Sequence, residues 1–205
     1  MKSFARRPLL LLGLFPLILA LLLPSLPQPE DRNIYQNIIR LHVLASSDSE
    51  TDQQIKLAVR DRVLDVTSSL LASAKESDEA VQILLAALDL LKQTADQALS
   101  EAGSKDESRI TLCRESYPTR SYGSLSLPAG TYTSLKIEIG PAQGQNWWCV
   151  LFPSLCLSSA TTSDRDAFLS AGFTPDQYRL LTQSDKGGYL IRFRLLEFAR
   201  ALFGG

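Results

Sequence analysis

The spacing of apolar residues in the first half of the chain predicts one strand followed by two helices. Residues 38–45 alternate in the manner of a strand and end in the turn-forming segment 46–49. Apolar side chains then recur at helical spacing, at Ile55, Val59, Val63, Val66 and Leu70. Thr51 and Gln54 predict a capping box at the start of this helix. A second apolar stripe, which ends at Gly103, predicts a helix from near Ser77 to about Ala102, so the two helices form a hairpin.

The second half of the chain has the shorter alternating pattern of strands. Residues 108–116 are a strand candidate, and residues 131–140 place Leu135, Ile137 and Ile139 on one face and charged side chains on the other. Residues 146–152 follow a short loop and are expected to run back as the antiparallel neighbour of 131–140. Their alternation puts apolar residues on both faces, with Trp147, Cys149 and Leu151 opposite Trp148, Val150 and Phe152. This pattern predicts a strand inside the sheet, covered on both sides.

The C-terminal part contains a further helix signal. Thr174, Pro175 and Gln177 predict a helix start with a capping box and a proline at its first position. Residues 187–193 form a possible last strand, and residues 195–202 fit a terminal amphipathic helix. The whole pattern predicts an α+β fold, in which a helical hairpin and C-terminal helices pack on a small antiparallel or mixed sheet.

The N-terminal segment has the pattern of an export signal. Lys2, Arg6 and Arg7 precede a run without charge over residues 8–23, which is shorter than the roughly 20 residues that a spanning helix needs. We therefore predict a signal peptide or N-terminal anchor over residues 1–27, a linker over 28–37 and a single extracytoplasmic domain over 38–205. A cleaved signal and an uncleaved anchor both remain open.

The charge balance argues against nucleic acid as a partner. Three of the 21 basic side chains lie in the N-terminal segment, so the rest of the chain has 18 against 22 acidic ones, a net charge of −4. Acidic and basic residues are interspersed along the chain, and there is no run of lysine or arginine to neutralise phosphates.

The cysteines and the single histidine allow three interpretations. Cys149 and His42 could form a nucleophile and its general base, as in an exported hydrolase that acts on peptide or peptidoglycan. Cys149 could instead be a buried core residue, or pair with Cys156 in a disulfide that an oxidising compartment permits. Cys113 is then either the unpaired cysteine or the true partner of one of the other two. We favour the structural interpretations. No zinc spacing or calcium loop is present, so neither a metal nor another cofactor is predicted.

Two blocks of sequence resemble a known family. The first, residues 38–64, follows the pattern R-x-H-V-I-A-N-S-D-S, then D-Q-x-x-K, then V-R-D, with departures at Leu44 and Ser46. It matches this pattern at Arg40, His42, Val43, Ala45, Ser47, Asp48, Ser49, Asp52, Gln53, Lys56, Val59, Arg60 and Asp61. The second block, residues 127–157, matches at Asn146, Trp147, Trp148, Cys149, Phe152, Pro153 and Cys156. Together with the closing residues 189–198, these blocks make the chain resemble stage II sporulation protein R of endospore-forming bacteria.

The resemblance implies a signal and not a catalyst. It implies a protein made in the forespore, exported into the space between the forespore and mother-cell membranes, where it activates a membrane-embedded aspartic protease of the mother cell. That protease would then remove the pro-sequence of an early sigma factor. Contact with the membrane is expected only through an uncleaved N-terminal segment, and a tethered adaptor is a further alternative.

The docking surface for this partner is predicted on one polar edge of the domain. This edge is expected to be formed by polar and charged residues of the first block, with a tryptophan of the second block as an aromatic anchor, because such residues often dominate binding energy at interfaces. The candidates for contact with the extracytoplasmic face of the protease are Arg40, His42, Asp48, Arg60, Asp61, Trp147 and Trp148.

Overall fold

The fold consists of helices packed on a mixed sheet. The computed structural model describes residues 33–122, 125–153, 164–170 and 173–182. The helices in this part are α1 (Asn33–Gln36), α2 (Glu50–Leu71), α3 (Ser77–Ala86), α4 (Leu88–Glu101), α5 (Asp164–Ser170) and α6 (Pro175–Thr182). The strands are β1 (Ile39–Leu44), β2 (Ser108–Tyr117), β3 (Arg120–Tyr122), β4 (Leu125–Leu127), β5 (Gly130–Ile139) and β6 (Asn146–Phe152). The predicted α+β class is confirmed.

The order of the strands differs from the prediction. Four strands form a sheet in the order β2-β5-β1-β6, and β3 pairs with β4 in a separate two-stranded sheet. β1 is parallel to β5 and antiparallel to β6, so the predicted hairpin of β5 and β6 is wrong. The loop between them crosses the end of β1, where the Gly144 N–H donates to the Ala45 carbonyl (2.9 Å) and the Gln143 N–H to the Ser46 carbonyl (3.2 Å). This crossing carries β6 to the far side of β1.

β6 occupies the end of the sheet in the part of the chain that the structure describes, so its predicted interior position is wrong as well. Its alternation holds as far as Val150, which pairs with Arg40. The register then shifts, and Phe152 lies opposite Ile39. Both faces of β6 are apolar because both are covered by side chains: Cys149 lies in the core, and Trp148 packs against His42 and Tyr117.

The two faces of the four-stranded sheet have different surroundings. Leu41 and Val43 lie beside Leu135 and Ile137 on the face that packs under α2 and α4, and all four are buried. Alternation along each strand places polar and aromatic residues on the opposite face. We call this second surface the polar face. Its members are Arg40 and His42 of β1, Arg109, Glu115 and Tyr117 of β2, Tyr132, Ser134, Lys136 and Glu138 of β5, and Trp148 of β6.

The N-cap of α2 lies two residues before the predicted one. Ser49 is the N-cap, and its hydroxyl accepts a hydrogen bond from the Asp52 N–H (3.1 Å). Thr51 lies inside the first turn, so the predicted box with Gln54 is wrong. The Asp52 carboxylate is held by the Ser47 hydroxyl, which fixes the turn that precedes the helix.

The second predicted helix is divided at Ala87 into α3 and α4. The predicted stop at Gly103 is confirmed, because this residue has φ +75° and its N–H donates to the Ser100 carbonyl (3.0 Å). The following Ser104 N–H donates to the Leu99 carbonyl (2.9 Å), which completes a Schellman motif. α4 packs along α2, so the helical hairpin is formed by α2 and α4.

The C-terminal helix start follows the prediction. The Gln177 N–H donates to the Thr174 hydroxyl (3.2 Å), the Thr174 N–H donates to the Gln177 side-chain oxygen (2.9 Å), and Pro175 opens α6. The predicted elements over 187–202 and the N-terminal segment 1–27 lie outside the described residues. None of the helices in the described ranges has the length and apolarity needed to cross a membrane.

The last residues of the predicted linker belong to the folded domain. Residues 33–36 form α1, whose Ile34 and Tyr35 are buried in the core. The Tyr35 ring packs on Tyr132 (5.1 Å between centroids), and its hydroxyl donates to the Ala129 carbonyl (3.2 Å). The folded part therefore includes residues before 38.

Candidate functional site

Arg40 lies at the centre of the polar face inside a cage of tyrosine rings. Its side chain is 0% exposed, and its guanidinium carbon is 4.3 Å from the centroid of Tyr117, 5.3 Å from that of Tyr132 and 5.5 Å from that of Tyr122. The Nε–H donates to the Cys149 carbonyl (3.2 Å), and Nη2 donates to the Tyr122 hydroxyl. Among the described residues Arg40 has no carboxylate partner, and its buried Nη1 has no acceptor. The aromatic faces offset part of the cost of burying this cation.

His42 is held by hydrogen bonds at both ring nitrogens. Nδ1 lies 3.1 and 3.2 Å from the two carboxylate oxygens of Glu115, and Nε2 lies 2.9 Å from the side-chain oxygen of Asn146. The ring also packs on Trp148, with 5.6 Å between centroids. With both nitrogens engaged and only 9% of the residue exposed, the imidazole is a structural link between β1, β2 and β6.

Glu115 is the acid of this cluster. Besides His42, its carboxylate accepts a hydrogen bond from the Tyr117 hydroxyl (3.2 Å) and lies 4.0 Å from Lys136 Nζ. Burial raises the pKa of Glu115, but hydrogen bonding with Ser134 and the charge and hydrogen bond of His42 outweigh it, so the pKa is lowered overall. Burial raises the pKa of Tyr117, which keeps its hydroxyl a neutral donor. Glu115 was not among the predicted site residues, because only the strand register brings it beside His42.

Trp148 joins this cluster to the separate two-stranded sheet. The guanidinium carbon of Arg120 in β3 lies 4.4 Å from the centroid of the Trp148 ring, whose other neighbour is Tyr117 (6.0 Å). The indole Nε1–H is buried and has no acceptor among the described residues. Arg120 is exposed and was not among the predicted site residues either, because no sequence pattern relates it to Trp148.

The remaining candidates lie on the helix side of the sheet. The Arg60 guanidinium stacks on the Trp147 ring (4.2 Å to the centroid), and its Nη2 pairs with Asp61 Oδ1 (2.6 Å). Trp147 is 36% exposed, one of few large apolar side chains at the surface of the described residues. Asp48 is exposed in the turn before α2. The structure therefore divides the candidates between two surfaces, with Arg40, His42 and Trp148 on the polar face and the stacked pair of Arg60 and Trp147 behind it.

Lys56 lies beside the stacked pair but is buried. Its Nζ donates to the side-chain oxygen of Gln53 (2.5 Å) and to the Gln145 carbonyl (3.0 Å), which ties α2 to the loop before β6. Burial lowers the pKa of Lys56, and the charge of Arg60 lowers it further. Lys56 therefore positions the backbone on which Trp147 stands.

The hypothetical pair of Cys149 and His42 does not form. Cys149 lies opposite Leu41 and His42 opposite Trp148, so their side chains are on opposite faces of the sheet. Cys149 is also buried and disulfide-bonded, which removes the thiolate that a hydrolase would need. Cys113 is free, and burial raises the pKa of its thiol. Cys156 lies outside the described residues, so the pairing of Cys149 with Cys156 stays a prediction.

The described residues contain no group of three or more histidine, cysteine, aspartate or glutamate side chains that could hold a metal ion. Asp52 in the first turn of α2 serves the helix start, because its carboxylate accepts a hydrogen bond from the Ser47 hydroxyl. The polar face is a set of interlocked aromatic and charged side chains.

Comparison with known proteins agrees with the resemblance in sequence. A protein-family model for stage II sporulation protein R matches residues 35–162. The stage II sporulation protein R of Bacillus subtilis (strain 168) is 36% identical over 118 residues, which are 58% of this chain and 53% of the relative, so the match spans about half the length of that relative. No solved structure matches the chain. Because the family model covers more than half of its length, the chain belongs to the stage II sporulation protein R family.

Proposed function

We propose that this protein is an exported sporulation signal that activates a membrane-embedded aspartic protease of the mother cell. Membership of the family assigns the chain a role in sporulation. The finer proposal is that it leaves the forespore, reaches the space between the two membranes and docks on the outer face of the protease. Activation would lead to removal of the pro-sequence of an early mother-cell sigma factor.

The family match over residues 35–162 carries this proposal. Two features of the structure support a protein that acts by recognition. The pair of Cys149 and His42 that would have served catalysis is separated by the sheet, and the stacked pair presents the Trp147 ring at the surface, supported by the largely buried Arg60 guanidinium. These residue types are enriched among the side chains that dominate binding energy.

Docking can activate an enzyme without any chemistry on the part of the activator. A ligand that binds one of two conformations more tightly shifts the population toward it, by as much as its affinities for the two differ. The proposed signal therefore needs a rigid surface that fits the active form of the protease better than the inactive form. The stacked pair stands on α2 and β6, and Lys56 connects these two elements.

Reconstitution in a non-sporulating bacterium tests the proposal. The full chain, the protease and its sigma-factor substrate are co-expressed, and the loss of the pro-sequence is followed by immunoblot. We expect processing only when all three proteins are present. Processing that is equally fast without this chain, or that never occurs although all three proteins accumulate, would contradict the proposal.

Variants in the same assay locate the surface. Trp147→Ala and Arg60→Ala are expected to reduce processing about tenfold or more, as substitutions at binding hot spots do. Leu90→Ala is the matched control, because Leu90 is an exposed apolar residue of α4 (47% exposed) outside both candidate surfaces. Equal effects of all three substitutions would show that the stacked pair has no special part in docking.

A further inference from the structure

The polar face, together with Arg120 of the two-stranded sheet beside it, contains two cations without a carboxylate partner among the described residues. Its other cations are paired: Arg109 with Glu138 (3.7 Å), and Lys136 with Glu138 (3.0 Å) and Glu115 (4.0 Å). Arg40 and Arg120 contact aromatic rings instead. Arg40 packs on Tyr117, Arg120 packs on Trp148, and these two rings contact each other, so the unpaired positive charge is concentrated at one place.

The hydrogen-bond donors at this place are incompletely used as well. Arg40 Nη1 and Trp148 Nε1 are the buried side-chain polar atoms in the described ranges that have no acceptor. Both side chains pack on the Tyr117 ring, at 4.3 Å for the Arg40 guanidinium and 6.0 Å for the Trp148 ring. A buried donor without an acceptor destabilises the fold, and a buried guanidinium without an anion destabilises it more. The pattern is that of a binding site for an acceptor that bears negative charge.

We propose that Arg120, Trp148 and Arg40 form a carboxylate-binding site for an acidic polypeptide segment of the partner. The exposed Arg120 guanidinium contacts the incoming carboxylate first, and the Trp148 ring on which it packs fixes its orientation. The carboxylate then replaces the phenolic oxygen of the half-buried Tyr122 as the acceptor for Arg40, since a carboxylate forms a stronger hydrogen bond with a guanidinium than a neutral hydroxyl does. Glu115 remains hydrogen-bonded to His42. Because its negative charge already lies beside the Tyr117 hydroxyl, it repels a second anion from that hydroxyl.

This inference rests on the proposed function, because it places the acidic segment on the protease that the signal activates. It assigns a second contact surface, distinct from the stacked pair on the other side of the sheet. A direct binding measurement keeps the two proposals separate, because it requires neither the protease nor the sigma factor.

Trp148 is a built-in reporter for this site. The chain has two tryptophans, so Trp147→Phe leaves Trp148 as the sole source of indole fluorescence. The full chain with this substitution is titrated with a tetraglutamate peptide, and a tetraglutamine peptide serves as the uncharged control. We expect a saturable change in Trp148 emission with tetraglutamate only, which weakens as salt is added because the attraction is electrostatic.

Paired arginine variants decide whether the response comes from this site. Arg120→Gln is expected to weaken binding about tenfold, which corresponds to ~1.4 kcal/mol, and Arg109→Gln to leave it within about twofold. Both residues are exposed arginines near the polar face, so the change in net charge is the same. Arg40→Lys should weaken binding further. If circular dichroism shows that this variant does not fold, the comparison of Arg120→Gln with Arg109→Gln still shows whether the response comes from this site.

Three outcomes would overturn the inference. They are the absence of a saturable response to tetraglutamate, an equal response to tetraglutamine, and equal losses in Arg120→Gln and Arg109→Gln. The last result would mean that the positive charge of the face acts only diffusely.

Discussion

At the scale of single residues, the organisation of the polar face depends on the carboxylate of Glu115. It lies on β2, yet it contacts His42 of β1 and comes within 4.0 Å of Lys136 of β5. Its lowered pKa means that the ionised carboxylate of Glu115 is more favourable in the folded state than in the unfolded chain. The negative charge of Glu115 therefore contributes to stability.

This linkage predicts how stability depends on pH. For a carboxyl group with a lowered pKa, the contribution is present above the pKa of the unfolded state, here about 4.5, and is lost as the pH falls through the folded pKa. We expect the free energy of unfolding of the unaltered chain to fall more steeply below about pH 5 than that of Glu115→Gln. Urea unfolding measured between pH 3 and pH 7 checks this, and parallel curves would contradict it.

At the scale of elements, the boundaries follow local hydrogen bonds more closely than they follow the apolar pattern. The apolar stripe of α2 starts at Ile55, but the helix begins at Glu50 because Ser49 caps it. The same holds at Gly103, whose positive φ ends α4 and whose N–H donates to the Ser100 carbonyl. At Ala87 the apolar stripe likewise does not mark the boundary, because it continues across the division between α3 and α4.

The correction of the α2 cap leads to a prediction for matched substitutions. Ser49→Ala is expected to lower the free energy of unfolding by about 1 kcal/mol, because it leaves the Asp52 N–H without its acceptor. Thr51→Ala, in the first turn of the same helix, is expected to change it by less than about 0.5 kcal/mol. Chemical denaturation of the two variants decides, and a larger effect at Thr51 would restore the original capping box.

At the scale of the whole molecule, the folded domain is built around β1. This strand lies between β5 and β6, and α1 immediately before it contributes Ile34 and Tyr35 to the core. Residues 33–36 are therefore part of the folded domain, although they fall within the linker that was predicted over residues 28–37.

The contribution of α1 to stability is testable in the whole chain. Ile34 is 0% exposed, so Ile34→Ala is expected to destabilise the domain by about 2–4 kcal/mol through lost burial and the cavity that remains. Gln36→Ala, an exposed position on the same helix, should change stability by less than about 0.5 kcal/mol. Equal unfolding midpoints for the two variants would return residues 33–36 to the linker.

The accuracy of the sequence-based predictions varied with the range of the interactions involved. The cap of α6 at Thr174 and the stop at Gly103 were predicted correctly, because both depend on hydrogen bonds between near neighbours in the chain. The predicted hairpin of β5 and β6 was wrong, because the apolar pattern alone does not distinguish a pairing of these two strands with each other from a pairing of each with β1. Glu115 and Arg120 were missed because their partners are distant in the chain. Glu115 contacts His42, which is 73 residues away, and Arg120 contacts Trp148 on a different strand.

The sequence by itself determined the α+β class, most of the helix and strand segments and, through its two blocks, the family. These follow from periodicity and local hydrogen bonding, which are encoded within short windows of the chain. Only the tertiary structure decided that β1 lies between β5 and β6, that Cys149 and His42 face opposite sides of the sheet, and that Arg40 is buried among tyrosines. Each of these depends on strand register and on contacts between residues far apart in the chain, where many pairings satisfy the same apolar pattern.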